Sequence, residues 1–305
     1  MKVGSILETL GGTPLVEISP RLNRTAAHVF AKVESFNPGG SAKDRVAVAM
    51  LDAAERDGRL GPGGTVIEPT SGNTGVGLAL ACAVRGYRMV LVMPDTMSVE
   101  RIRLAKAYGA EVELTPGAEG MKGCLERAEA LNRAIPGSFI PNQFGNPANA
   151  AAHERTTGPE IWRDLEGRVD AFVAGVGTGG TLTGTGRYLR GRNAAVRLVA
   201  VEPADSPLLS KGVAGPHRIQ GIGANFVPPV LDRALVDEVV AVQAADAERL
   251  ARELGAKEGI LCGISSGAAM WAALEVANRP AFAGRNVVVL LPDTGERYLS
   301  TGLFG

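Results

Sequence analysis

Asp170-Ala171-Phe172-Val173-Ala174-Gly175-Val176-Gly177-Thr178-Gly179-Gly180-Thr181 decides the fold class. Its first five residues read as a buried strand, and a helical stretch over 181–190 follows the glycine-rich turn directly. A strand that runs through glycines into a helix is the first half of a parallel β–α–β unit. Residues 196–201 supply the next buried strand. The same alternation extends toward the N-terminus. Strands are predicted over 28–34, 65–68, 88–93 and 111–114. Helices are predicted over 42–57, stopped at Gly58, over 75–85, and over 98–108 with Ser98 as N-cap. Toward the C-terminus, strand 238–242, helices 244–254 and 265–277, and strand 286–291 complete the series. Between Pro203 and Pro229 the periodicity disappears for about 25 residues, longer than a passive connection runs, so a functional loop is predicted there. The fold expected is α/β with two domains, each a mostly parallel twisted sheet flanked by helices, and ligands belong at the C-terminal ends of the strands.

The composition agrees with an ordinary globular chain. It has 305 residues, 45% of them apolar, enough to fill two moderate cores, and disorder is excluded. With 32 basic and 32 acidic side chains no summed field is left to hold a polyanion, so nucleic acid is not an expected partner. The apolar runs 78–84 and 287–291 fall far short of the roughly 20 residues that cross hydrocarbon. The N-terminus reaches Glu8 before an apolar core of signal-peptide length develops, and the reading is a cytoplasmic protein. Cys82, Cys124 and Cys262 are scattered, which argues for buried free thiols and against a disulfide framework. His28, His153 and His217 are equally scattered, and no metal site is expected.

Four segments place small or polar residues where a helix begins, leaving backbone N–H groups to meet an anion. The first, Asn37-Pro38-Gly39-Gly40-Ser41-Ala42-Lys43-Asp44-Arg45, delivers a lysine to the first turn of a helix, where the dipole disfavours a cation. Only 7 of the 32 basic residues are lysines. Lys43 is either a surface residue or an amine poised to form a Schiff base or abstract a proton. The second, Glu68-Pro69-Thr70-Ser71-Gly72-Asn73-Thr74-Gly75, offers four capping side chains where one suffices, and a carboxylate cradle is the favoured reading. The third is the 175–181 loop, suited to a phosphate. It also satisfies G-x-G-x-x-G with Glu202 about 20 residues on, so a nicotinamide-dependent dehydrogenase is the reading from a different class. That fingerprint ordinarily opens a domain, whereas here a whole α/β unit precedes it. The fourth, Gly259-Ile260-Leu261-Cys262-Gly263-Ile264-Ser265-Ser266-Gly267-Ala268, brings two hydroxyls to a helix mouth, either as plain caps or to meet a ring nitrogen.

In this order the four segments resemble the pyridoxal-phosphate β-family of fold type II, the tryptophan synthase β-like fold, and within it the O-acetylserine sulfhydrylases, cysteine synthases of the A type. The resemblance covers nearly the whole chain. It extends through Pro94-Asp95-Thr96-Met97-Ser98-Val99-Glu100-Arg101, Thr156-Thr157-Gly158-Pro159-Glu160-Ile161-Trp162, His217-Arg218-Ile219-Gln220-Gly221-Ile222-Gly223-Ala224 and Gly295-Glu296-Arg297-Tyr298-Leu299-Ser300-Thr301. It implies pyridoxal 5'-phosphate held as an imine on Lys43, its phosphate on Gly177, Thr178, Gly179, Gly180 and Thr181, its ring nitrogen facing Ser265 and its ring hydroxyl bonded to Asn73. The substrate α-carboxylate would meet Thr70, Ser71, Asn73 and Thr74, with Gln143. The implied domains are a smaller, mobile substrate-binding domain over 35–145 and a larger cofactor-binding domain over 1–34 and 146–305, with the active site between them.

The implied reaction is β-replacement, making L-cysteine and acetate from O-acetyl-L-serine and sulfide through an α-aminoacrylate, a transferase reaction in cysteine biosynthesis. O-phosphoserine sulfhydrylase or a minimal cystathionine β-synthase are the alternatives within the family. A homodimer is implied, as is a complex with the C-terminal tail of serine acetyltransferase. Two residues depart from the commonest family pattern: Ala42, often Val, and Asn225, often Gly. The second lies in the long loop expected near the leaving group, and so bears on donor preference.

Overall fold

The computed structural model describes residues 2–70, 72–96 and 99–305. Its strands are β1 (Leu15–Glu17), β2 (His28–Val33), β3 (Thr65–Pro69), β4 (Arg88–Pro94), β5 (Glu111–Thr115), β6 (Ala171–Gly175), β7 (Arg197–Pro203), β8 (Glu238–Val242) and β9 (Asn286–Leu291). Its helices are α1 (Lys43–Arg56), α2 (Asn73–Arg85), α3 (Val99–Ala107), α4 (Gly120–Ala134), α5 (Pro147–Arg155), α6 (Thr157–Asp164), α7 (Gly180–Arg192), α8 (Leu208–Lys211), α9 (Ala244–Glu253) and α10 (Ile264–Ala277). All the strands and helices predicted from the periodicity are present, with ends displaced by a residue or two. The cap assigned to Ser98 lies outside the described residues. The chain divides into two compact units, one of residues up to Leu10 with Asn37–Ala148, the other of Gly11–Phe36 with Asn149–Gly305.

The first unit carries the parallel sheet β3-β4-β5. Phe139 adds a single parallel bridge to Val66, its N–H and C=O paired to Thr65 and Ile67. Val66, Leu91 and Met93 point to the face covered by α1 and α2, while Ile67, Val90 and Val92 point to α4 with Cys124 and Ala128. Helices α1 and α2 approach closely because residue 77 is glycine: a Cβ there would lie 3.0 Å from the Lys43 carbonyl and 3.2 Å from Ala47.

The second unit carries a six-stranded sheet in the order β1-β2-β9-β6-β7-β8, parallel except for the β1–β2 pair. Its strands β6, β7 and β9 are buried on both faces, which explains their unbroken apolar runs. Helix α10 covers one face with α9 packed against it, and α7 packs on β6 and β7. A fully buried valine or leucine contributes about 1.5–3 kcal/mol, and Val173, Val199, Leu198 and Val289 are all inaccessible. The loop after β6 leaves the sheet where strand order reverses between β9 and β7, the place where open α/β sheets bind ligands. Among the described residues no helix is long and apolar enough to cross a membrane.

Candidate active site

In the first unit the site begins with the turn that launches α1. The Asp44 carboxylate accepts from Gly39 N at 2.8 Å, and Ser41 Oγ accepts from Lys43 N at 3.2 Å. The second bond satisfies an N–H that the helix start leaves over, the first ties the preceding turn to α1, and Asp44 sets a negative charge in the first turn beside the lysine. A Cβ at residue 39 would stand 2.5 Å from the Asp44 carboxylate, so a larger residue there has to displace that side chain from its bond to the turn. Lys43 is thus fixed as the first residue of α1 and is half-buried. The buried Lys32 of the second unit is a poor rival as a reactive amine. Its Nζ lies 2.6 Å from the Thr13 carbonyl and 2.8 Å from Glu160 Oε2.

The second segment forms the turn between β3 and α2. Thr74 Oγ1 donates to Gln143 Oε1 at 2.5 Å, and Gln143 Nε2 donates to Thr70 Oγ1 at 3.3 Å. Thr70, Thr74 and Gln143 are therefore one buried cluster at the N-terminus of α2, with Asn73 as that helix's first residue. No acidic residue occupies the first turn of α2, so its positive end is available to a carboxylate. Ser71 lies outside the described residues.

Behind the cluster stands Glu68, 1% exposed at the end of β3. Its carboxylate accepts from Asn142 N at 3.0 Å and Gln143 N at 3.2 Å. Burial pushes its carboxyl up to about 7, against the lowering effect of those two N–H groups. Glu68 stood in the quoted segment, but nothing in sequence tied it to residues 142–143, more than 70 positions away.

In the second unit the loop between β6 and α7 has the build of an anion cradle. Gly179 caps α7 in the left-handed region at φ 81°, and α7 has no acid in its first turn. A Cβ at Gly177 would sit 2.4 Å from the Gly221 carbonyl, and one at Gly180 would sit 1.9 Å from Asn149 Oδ1. Only glycine lets this backbone run so close to its neighbours. The hydroxyls of the loop are held from behind. Asn149 Nδ2 donates to Thr178 Oγ1 at 2.9 Å, and His153 bridges Thr157 Oγ1, 2.9 Å from Nδ1, and Thr181 Oγ1, 3.1 Å from Nε2. Asn149 and His153 are inaccessible to solvent and escaped the sequence reading. The one sequence sign was the spacing of His153 and Thr157, one helical turn apart.

Ser265 lies in the first turn of α10, buried, and a Cβ on Gly221 would be 3.4 Å from its Oγ. Gly221 thus links the neighbourhoods of the third and fourth segments. The acid required by the dinucleotide reading is committed elsewhere. Glu202 accepts from Leu209 N at 2.7 Å and from Ser210 N and Oγ at 3.1 and 2.5 Å, so it caps α8. That use of Glu202 removes the main support for a nicotinamide enzyme. Asn225 adopts φ 62° and its Oδ1 accepts from buried Ser206 Oγ at 2.7 Å. The thiols are all free and buried; burial pushes Cys82 and Cys262 up to about 12, so they are not nucleophiles at neutral pH. Among the described residues no three ligating side chains cluster as for a metal.

Within the second unit, a loop built for a phosphate and a buried hydroxyl at a helix start suit a phosphorylated ring compound. The comparisons with known proteins agree: the chain belongs to the family of pyridoxal-phosphate dependent enzymes, whose family model matches residues 6–293. It is 50% identical over 303 residues to a cysteine synthase of Staphylococcus aureus (strain N315), covering 99% of this chain and 97% of that one. Among solved structures it resembles O-acetyl serine sulfhydrylase isoform 3 from Entamoeba histolytica, with TM-score 0.96, 47% identity, and coverage of 100% of this chain and 92% of that one. It also resembles a hydrogen sulfide-producing enzyme from Fusobacterium nucleatum, with TM-score 0.95, 46% identity, and coverage of 98% and 99%.

Proposed function

We propose that the chain makes L-cysteine and acetate from O-acetyl-L-serine and sulfide by pyridoxal-phosphate-dependent β-replacement. The observation that carries this reading is the buried Thr70, Thr74 and Gln143 cluster at the start of α2, in a chain half identical to a cysteine synthase over nearly its full length. In this reading Lys43 holds the coenzyme, Gly177, Thr178, Gly179, Gly180 and Thr181 its phosphate, Ser265 its ring nitrogen and Asn73 its ring hydroxyl. When bound, the coenzyme supplies an electron sink for the substrate's Cα. The chain's own residues do the rest. Thr70, Ser71, Asn73, Thr74 and Gln143 fix the substrate α-carboxylate, which sets the orientation of the Cα–H bond. Lys43 Nζ takes the Cα proton and later returns it, as one positioned amine serving as base and then acid. A neutral hydroxyl at Ser265, in place of a carboxylate, leaves the ring nitrogen largely unprotonated and restrains side reactions at Cα.

The proposal extends to a cytoplasmic homodimer that accepts the C-terminal tail of serine acetyltransferase, and it takes 35–145 as the substrate-binding domain and the remainder as the cofactor-binding domain; the resemblance supports these readings. The test is to purify the holoprotein, add O-acetylserine, O-phosphoserine or serine with sulfide, and measure cysteine. Cysteine formed fastest from O-acetylserine, and abolished in Lys43→Ala, is the expected result. Preference for phosphoserine, or cysteine formation that survives Lys43→Ala, would overturn it.

A further inference from the structure

We propose that Glu68 is a positioning residue for capture of the substrate α-carboxylate, gripping the Asn142–Gln143 backbone so that the Gln143 side chain bridges Thr70 and Thr74. The inference rests on the reading above and adds to it a group that touches neither substrate nor coenzyme.

The geometry is a two-point clamp. Each carboxylate oxygen of Glu68 takes one of two successive N–H groups, Oε2 from Asn142 at 3.0 Å and Oε1 from Gln143 at 3.2 Å. Successive N–H groups converge on one anion only when the backbone between them is unusual. Asn142 provides this at φ 54°, one of three non-glycine residues with positive φ among those described. Asparagine tolerates that region better than most side chains, but the conformation still has to be held. The turn is closed locally as well, by Asn146 Nδ2 to the Pro141 carbonyl at 2.9 Å. Gln143 leaves this turn with both ends of its amide committed, its oxygen to Thr74 and its nitrogen to Thr70. Without the clamp the turn loses what fixes the Gln143 backbone, and both threonine hydroxyls lose a common partner.

The protonation state of Glu68 decides whether the clamp closes. As a carboxylate it accepts both N–H groups; as a neutral acid one oxygen carries a hydrogen that faces a donor. Burial raises its pKa to about 7, so the switch falls in the neutral range. The charged groups on the elements around it are Lys43, Asp44 and Arg45 at the head of α1, the Asp52, Glu55 and Arg85 cluster at the far ends of α1 and α2, the Arg88–Glu111 pair across β4 and β5, and Lys122, Glu126, Arg127, Glu129 and Arg133 on the outer side of α4. None of them contributes to the shift, which burial and the two N–H groups set between them.

The test compares two amines on the holoprotein, alanine and ethylamine, each followed by the visible spectrum of the bound coenzyme. Both displace Lys43 from the same carbon of the coenzyme, and only alanine brings a carboxylate. In the wild type, alanine affinity relative to ethylamine should fall about tenfold as pH drops from 8 to 6, the loss of one hydrogen bond to a charged group. In Glu68→Gln, alanine should bind about tenfold more weakly at pH 8, with ethylamine unchanged and the ratio flat across pH. A flat ratio in the wild type, or equal weakening of both amines in the variant, would overturn the inference. The wild-type profile decides alone where the variant does not fold. If neither amine perturbs the spectrum, the parent reading of Lys43 fails instead.

Discussion

Replacing His153 with leucine tests whether the phosphate loop is aimed from behind. The imidazole is inaccessible and bridges two hydroxyls, Thr157 at 2.9 Å and Thr181 at 3.1 Å. A neutral ring has one donor and one acceptor nitrogen. For Thr181 to offer its hydrogen to an anion, Nε2 must be the N–H that donates to Thr181 Oγ1, and Nδ1 must accept from Thr157. Leucine fills similar volume but strands both hydroxyls. Each loses a bond worth about 1 kcal/mol and stays desolvated, so the apoprotein should lose about 2–4 kcal/mol in urea unfolding. Pyridoxal phosphate should bind about tenfold more weakly, because one donor to the phosphate is no longer aimed. Pyridoxal, which has no phosphate, is the control. Fluorescence titration of both compounds against folded variant should show the loss for the phosphate form alone. An equal loss for both, or none for either, would refute the relay.

Two further consequences follow from packing and burial. Gly267 of α10 has no room for a methyl group: its Cβ would stand 1.9 Å from the Ala247 carbonyl of α9, and backbone cannot swing aside as a side chain does. Gly267→Ala should cost at least about 3 kcal/mol, seen as a lowered urea midpoint; a loss under 1 kcal/mol would mean that the helices separate freely. Glu68, with its pKa raised from 4.5 to about 7, binds its proton more tightly folded than unfolded, so its contribution to stability declines as pH rises from about 4.5 to 7, by about 3 kcal/mol over the window. Glu68→Gln should flatten that decline between pH 5 and 7.5, and an unchanged slope would place the titration elsewhere.

The alternation of strands and helices was legible because the central strands of both sheets are buried parallel runs such as Val287-Val288-Val289 and Met89-Val90-Leu91. What escaped was of three kinds. The strand β1 has only three residues, too few for a period. Helix α4 opens on Gly120 and carries Gly123, poor helix formers that disguise its buried stripe of Gly123, Cys124 and Ala128. Helices α5 and α6 are short, and α5 begins on a proline. Local pattern also could not choose partners: residues 28–33 directly precede the elements of the three-stranded sheet, yet they pair with β9, more than 250 positions on.

The candidate site divides along the same line. Residues that would touch a ligand announce themselves because an anion at a helix start demands small and hydroxylic residues in one short stretch, as in 70–75 and 177–181. Residues that aim them do not, since a single hydrogen bond constrains one position and can come from anywhere in the chain. Asn149 and His153 reach the phosphate loop across 29 and 28 positions, and Glu68 reaches Gln143 across 75. Asn225 shows the converse. Its departure from glycine pointed to donor choice, but the structure gives its Oδ1 to Ser206, whose Oγ in turn accepts from Gly215 N at 3.2 Å. An asparagine that can occupy φ 62° and also tie down the 203–229 loop is explained by the loop alone. The substitution therefore supplies no argument for moving donor preference away from acetylserine.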